Sequence, residues 1–234
     1  MEHKRLTLFM GHYGSGKTNI AVNYAKLLAR EGKRVCIADL DIVNPYFRTA
    51  DSAEDLKSAG VELIAPKFAN SNVDLPALPA EAYRLVEDRS IYGVMDIGGD
   101  DRGAYALGRY APFLTREDNY RAVFVANAYR PLTATAEEAL EVMREIEAAC
   151  GIRLTHIVNN ANLGWETTEQ TVLDSLAYVE ELSRLSGLPL WFHAAEKAVA
   201  QKLEGKLAPV LSMELQEKYF DLPRQKPQAR PLFG

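Results

Sequence analysis

Seven short apolar runs, rich in β-branched and aromatic residues, recur along the chain: residues 5–10 (RLTLFM), 34–40 (RVCIADL), 61–65 (VELIA), 91–97 (IYGVMDI), 121–128 (RAVFVANA), 154–160 (LTHIVNN) and 188–194 (LPLWFHA). Each reads as a β-strand. Between them lie longer segments of helical period. In residues 18–32, Ile20, Ala21, Tyr24, Leu27 and Leu28 recur at spacings of three and four until Gly32, which is the signature of one buried helix face with a glycine stop. Residues 134–151 and 168–187 repeat the pattern and also close on glycine. Strand and helix alternating this often predict right-handed crossovers and a mostly parallel sheet with helices on both faces, a three-layer, doubly wound α/β fold. The expected organisation is a single domain over residues 1–220, with residues 209–220 as a short docked surface helix. The Pro-rich basic tail 221–234 is too broken by proline to pack as a helix.

Composition narrows the class. At 47% hydrophobic and 25% charged, with a net charge of −5, the 234-residue chain is neither disordered nor a general binder of polyanions. Cys36 and Cys150 stand far apart and form no CxxC pair, so both are expected reduced and buried. The N-terminal residues MEHKRLTLFM carry no apolar signal core, and a cytoplasmic protein without a stable membrane anchor is expected.

In sheets of this kind ligands gather at the carboxyl ends of the strands. The first strand ends in Gly11-His12-Tyr13-Gly14-Ser15-Gly16-Lys17-Thr18, followed by Asn19. These residues fit G-x-x-x-x-G-K-[ST] between a strand and a helix, the context a phosphate loop requires. Glycines let the backbone turn its N–H groups inward around phosphate oxygens, and the helix N-terminus adds partial positive charge. Lys17 is then expected against the β and γ phosphates and Thr18 on Mg²⁺. The plainer reading is a glycine-rich turn that only caps a helix; motif and context together favour the phosphate loop.

Two further strand ends supply carboxylates. Asp96 closes the run 91–97 and is followed by Gly99. A D-x-x-G spacing allows a metal-organising carboxylate and a backbone N–H that approaches the γ-phosphate. Asp39 and Asp41 end the second strand one residue apart, so in a continuing strand they point to opposite sides and have different tasks.

Together these residues resemble the MinD/ParA group of P-loop ATPases, which includes the nitrogenase iron protein and the cobyrinic acid amidating synthases. The resemblance spans residues 5–195 and rests on the phosphate loop with its extra Gly14, the D-x-D at 39–41, Asp96 with Gly99, and the late strand ending IVNNAN. It implies Asp41 as the residue positioning the attacking water, Asp39 beside the Mg²⁺ shell, and Asn159 as an adenine contact, with Asn160 and Asn162 as competitors for that contact. No N-K-x-D guanine motif occurs, so ATP is expected over GTP. The group's loop begins G-K-G-G, and its first lysine crosses a dimer interface. Here His12 holds that position, and a mostly neutral imidazole is a poor fixed cation in trans. A homodimer is therefore a weak expectation, and His12 either donates one hydrogen bond to phosphate or is a solvent-exposed loop residue.

Residues 44–51, with Pro45, Tyr46 and Phe47, and residues 100–112, with Asp100, Asp101, Arg102 and Arg109, are expected as switches. Arg130 is expected near the same sheet edge, as an anion contact or a helix cap, and no arginine is assignable as a finger in cis. The expected function is a slow Mg²⁺-dependent ATP-hydrolysing switch awaiting a protein partner. The alternatives are an ATP-dependent synthetase or small-molecule kinase with a second substrate, and a non-hydrolysing ATP sensor.

Overall fold

The computed structural model describes residues 2–40, 49–65, 80–99, 107–108, 110–114, 116 and 119–215. Eight strands form one parallel sheet: β1 (Leu6–Met10), β2 (Val35–Leu40), β3 (Val61–Ile64), β4 (Tyr92–Ile97), β5 (Tyr120–Ala126), β6 (His156–Asn159), β7 (Leu190–Glu196) and β8 (Val210–Met213). Their order is β3-β2-β4-β1-β5-β6-β7-β8, and every pairing is parallel. The helices are α1 (Lys17–Arg30), α2 (Ala53–Ser58), α3 (Arg84–Glu87), α4 (Ala111–Leu114), α5 (Ala136–Cys150), α6 (Glu169–Asp174), α7 (Leu176–Ser186) and α8 (Lys197–Leu203).

Alternation along the strands divides the core. Leu6, Leu8 and Met10 of β1 pack on one face with Ala139 and Met143 of α5 and Val179 and Leu182 of α7. Phe9 points the other way and joins Ile20, Tyr24 and Leu28 of α1 and Trp191 and Phe192 of β7, as a pleat of period two requires. All of these side chains are buried. Cys36 and Cys150 are likewise buried and free, and burial pushes the Cys36 thiol up to about 12, which keeps it protonated and unreactive at neutral pH.

Two helix ends follow from local chemistry. Thr135 Oγ1 accepts the Glu138 N–H at 3.2 Å while the Glu138 carboxylate accepts the Thr135 N–H at 3.1 Å, a reciprocal cap on α5. Segment 168–187, expected as one helix, is interrupted at Ser175, whose hydroxyl donates to the Val172 carbonyl at 2.7 Å and accepts from the Asn159 amide at 2.8 Å. A serine bonding its own backbone competes with the helical ladder.

One expectation is corrected. Residues 210–213, read as the start of a surface helix, form the edge strand β8 beside β7. Leu211 and Met213 are buried while Ser212 between them is exposed, so the governing period is two. Residues 216–220 and the tail 221–234 lie outside the described residues. Among the described residues no helix is long and apolar enough to cross a membrane.

Candidate functional site

The loop between β1 and α1 is built from glycines because nothing else fits. Gly14 and Gly16 adopt φ of +75° and +91°, a region that L side chains rarely occupy. A Cβ at Gly16 would collide with the Asn160 amide nitrogen, and one at Gly11 would lie 2.7 Å from the Val125 carbonyl oxygen. The loop closes with the Ser15 N–H donating to the His12 carbonyl at 3.2 Å, and Lys17 Nζ donates to that same carbonyl at 3.1 Å. The lysine head is therefore folded over the loop it serves. The Ser15 hydroxyl is buried without a hydrogen-bond partner among the described residues, an orphan donor that an anion in the loop can satisfy.

Thr18 and Asn19 occupy the first turn of α1, with Thr18 nearly buried. His12 is half-buried, with Nδ1 3.1 Å from the Tyr13 carbonyl, and Tyr13 is exposed. β2 and β4 are neighbours, and Asp39 and Asp96 are register partners at their ends. Both carboxylates are buried. Thr49 Oγ1 donates to Asp96 Oδ2 at 2.9 Å. Carboxylate and hydroxyl oxygens such as these and that of Thr18 are the donors a hard divalent cation takes, although among the described residues no group of three or more His, Cys, Asp or Glu side chains gathers to hold a metal by itself. Gly99 faces the loop so closely that a Cβ there would lie 2.7 Å from the Tyr13 nitrogen and 2.8 Å from Lys17 Nζ. Asp41, the 44–48 part of the first expected switch, and Asp100, Asp101, Arg102 and Arg109 lie outside the described residues.

The asparagines of 159–162 divide their tasks. Asn159 Nδ2 donates to Ser175 Oγ at 2.8 Å and lies 3.2 Å from His193 Nδ1, and burial lowers the His193 pKa, so its ring stays neutral as the amide's partner. Asn160 Nδ2 donates to the Ser15 carbonyl at 2.6 Å. Asn162 Oδ1 accepts the Gly164 N–H at 2.6 Å.

The sequence reading missed two contributors. Thr49 falls inside the expected switch 44–51 but was not singled out there, because it belongs to no motif. Asn127, at the end of β5, accepts the Tyr129 N–H at 3.0 Å and donates its amide to the Asn162 carbonyl at 3.2 Å. It thus clasps the loop after β5 to the loop after β6.

The model of the CobQ/CobB/MinD/ParA nucleotide binding domain matches residues 8–190. No curated protein matches the chain. Among solved structures it is similar to FtsY from Thermotoga maritima (17% identity, TM-score 0.57, covering 81% of this chain and 61% of that one). It is also similar to FtsY from Mycoplasma mycoides (17%, 0.55, 81% and 60%). A third is signal recognition particle 54 kDa protein from Aeropyrum pernix in complex with GDP (17%, 0.51, 82% and 41%). The chain thus spans less than two thirds of these structures, and at such identity the likeness is one of fold.

Proposed function

Because the chain belongs to the CobQ/CobB/MinD/ParA nucleotide-binding family, we propose that it is a Mg²⁺-dependent ATP-hydrolysing switch. The observation carrying this reading is the approach of Gly99 to Lys17 and Tyr13. It couples the segment after Asp96 to the phosphate loop, so that the presence of a γ-phosphate is felt by the residues that follow. The loop amides and Lys17 bind the phosphate chain and offset the charge that grows on its oxygens as water attacks. Thr18 and Asp96 would hold Mg²⁺, with Asp39 beside them, and the ion would neutralise phosphate charge. Asp41 is proposed to orient the water.

ATP is favoured over GTP because the loop 159–162 offers amides where a guanine reader needs a carboxylate to accept the base's N–H groups. The Asn159 amide nitrogen is already committed to Ser175 and His193. In this proposal the adenine contact first expected of Asn159 therefore passes to Asn162, whose side-chain nitrogen points to no partner among the described residues. Asn159 then braces the loop from beneath.

The test is phosphate release from Mg²⁺-ATP and Mg²⁺-GTP over a wide range of protein concentration, beside calorimetric binding. Lys17→Ala should abolish binding of both nucleotides, and Asp41→Ala should keep ATP binding while stopping turnover. Specific activity that climbs with concentration would mean that a dimer forms despite His12. Preference for GTP would overturn the base assignment.

A further inference from the structure

The loop 127–133 carries a cation that the phosphate-loop motif does not account for. Its backbone is pinned: the Arg130 N–H donates to the Asn127 carbonyl at 3.2 Å, the Thr133 N–H donates to the Arg130 carbonyl at 3.3 Å, and Thr133 Oγ1 donates to the Asn127 carbonyl at 3.0 Å. The Tyr129 hydroxyl anchors the same turn to the Thr171 carbonyl at 3.0 Å. From this turn the Arg130 side chain lies across the open face of Gly14. A Cβ built on Gly14 would meet Arg130 Nε at 3.5 Å and Cζ at 3.7 Å. Nε is buried and has no acceptor, and no carboxylate pairs with the guanidinium, among the described residues.

A guanidinium does not lose its proton at any ordinary pH. A buried N–H on a charged group without an acceptor is costly, so a rigid turn that holds one against an anion-binding loop needs an anion to complete it. Phosphate oxygens match the planar fork of arginine in pairs.

We propose that Arg130 contacts the phosphate chain of the bound nucleotide in cis, supplying the second fixed cation of the site and making its electrostatics self-contained. This rests on the nucleotide-binding reading above. Gly14 lies beside it: the guanidinium passes at van der Waals distance from where a side chain at 14 would begin.

The experiment compares the full chain with Arg130→Gln, Arg130→Lys and Lys17→Ala, titrating Mg²⁺-ADP and Mg²⁺-GDP by calorimetry at several salt concentrations, with thermal melts to check folding. Arg130→Gln should weaken the diphosphate that binds by about tenfold to a hundredfold, the loss of a charge-assisted hydrogen bond. It should also flatten the dependence of affinity on salt. Arg130→Lys, which keeps the charge but not the fork, should recover part of the loss, and it carries the test alone should the glutamine variant not fold. If Arg130→Gln binds as tightly and with the same salt dependence as the unaltered chain while Lys17→Ala does not bind, the Arg130 assignment is overturned and the phosphate-loop reading stands. A loss with unchanged salt dependence also overturns it, since that marks a structural role. If the unaltered chain binds neither diphosphate, the nucleotide reading fails and takes this inference with it.

Discussion

The Asn160 side-chain amide donates to the Ser15 carbonyl at 2.6 Å, joining residues 145 positions apart in sequence. The bond ties the loop after β6 to the phosphate loop, and the same amide fills the space that a side chain at Gly16 would need. The shape of the cradle therefore depends on a residue outside its motif.

Replacing Asn160 by Ala should leave the buried Ser15 carbonyl without its donor, at about 1–3 kcal/mol in unfolding stability. Nucleotide affinity should fall by about tenfold as the loop loosens, equivalent to ~1.4 kcal/mol. Asn160→Asp should be worse, because two acceptors then face each other. Denaturant titration and calorimetry read both quantities, and nucleotide affinity unchanged in both variants would show that the loop holds its form unaided.

Gly99→Ala should damage the site without unfolding the protein. Its methyl would press on the Tyr13 nitrogen and on Lys17 Nζ at under 3 Å, so either the loop or the lysine must shift. Loss of ATP turnover by more than tenfold with an unchanged melting temperature is expected. Turnover equal to that of the unaltered chain would separate Gly99 from the phosphate site.

Much of this arrangement was legible in the sequence, because its signals are local. The seven expected strands and the helix after the loop are all present, since apolar runs and three-to-four spacing report burial within one element. The motif from Gly11 to Thr18 placed a glycine-rich turn between β1 and α1 for the same reason. β8 was missed because four residues give too short a sample to separate period two from 3.6, and what decides its conformation is the open edge of β7. The Asn160–Ser15 bond and the Arg130–Gly14 contact were missed because they join distant segments, and only the strand order brings those segments together.

Thr49 offers a test of how the segment after β2 is coupled to Asp96. Its hydroxyl donates to Asp96 Oδ2 at 2.9 Å inside the protein, a buried hydrogen bond whose removal costs about 1–3 kcal/mol by leaving the acceptor unsatisfied. Thr49→Val keeps the shape and removes the donor. It should lower the unfolding free energy by that amount, read as a lower denaturant midpoint at constant slope, while Thr49→Ser should retain most of the stability. Equal stability of the valine variant and the unaltered chain would mean that the contact contributes nothing.

The pH dependence of stability should report on His156. Burial, with the Arg121 cation adding to it, pushes this imidazole down to about 4. Lys4 acts in the same direction and Glu2 against it. Arg121 itself lies over the Trp191 ring, 4.0 Å from its centre, and Thr155 Oγ1 is 2.9 Å from His156 Nδ1. In the unfolded chain the ring takes its proton near pH 6.5. Between these two values the unfolded state binds a proton that the folded state refuses, so stability rises with pH across the window and is fully present above it. Because the ring is only half-buried, solvent screening reduces the effect to about 1–2 kcal/mol. His193, whose pKa is also lowered by burial, contributes in the same direction. His156→Gln should therefore flatten, without abolishing, the fall in stability between pH 7 and pH 5, a range that avoids most carboxylate titration. Chemical denaturation at half-unit intervals measures that slope directly. Identical slopes in the variant and the unaltered chain would place the titrating group elsewhere, with His193→Gln as the next variant to measure.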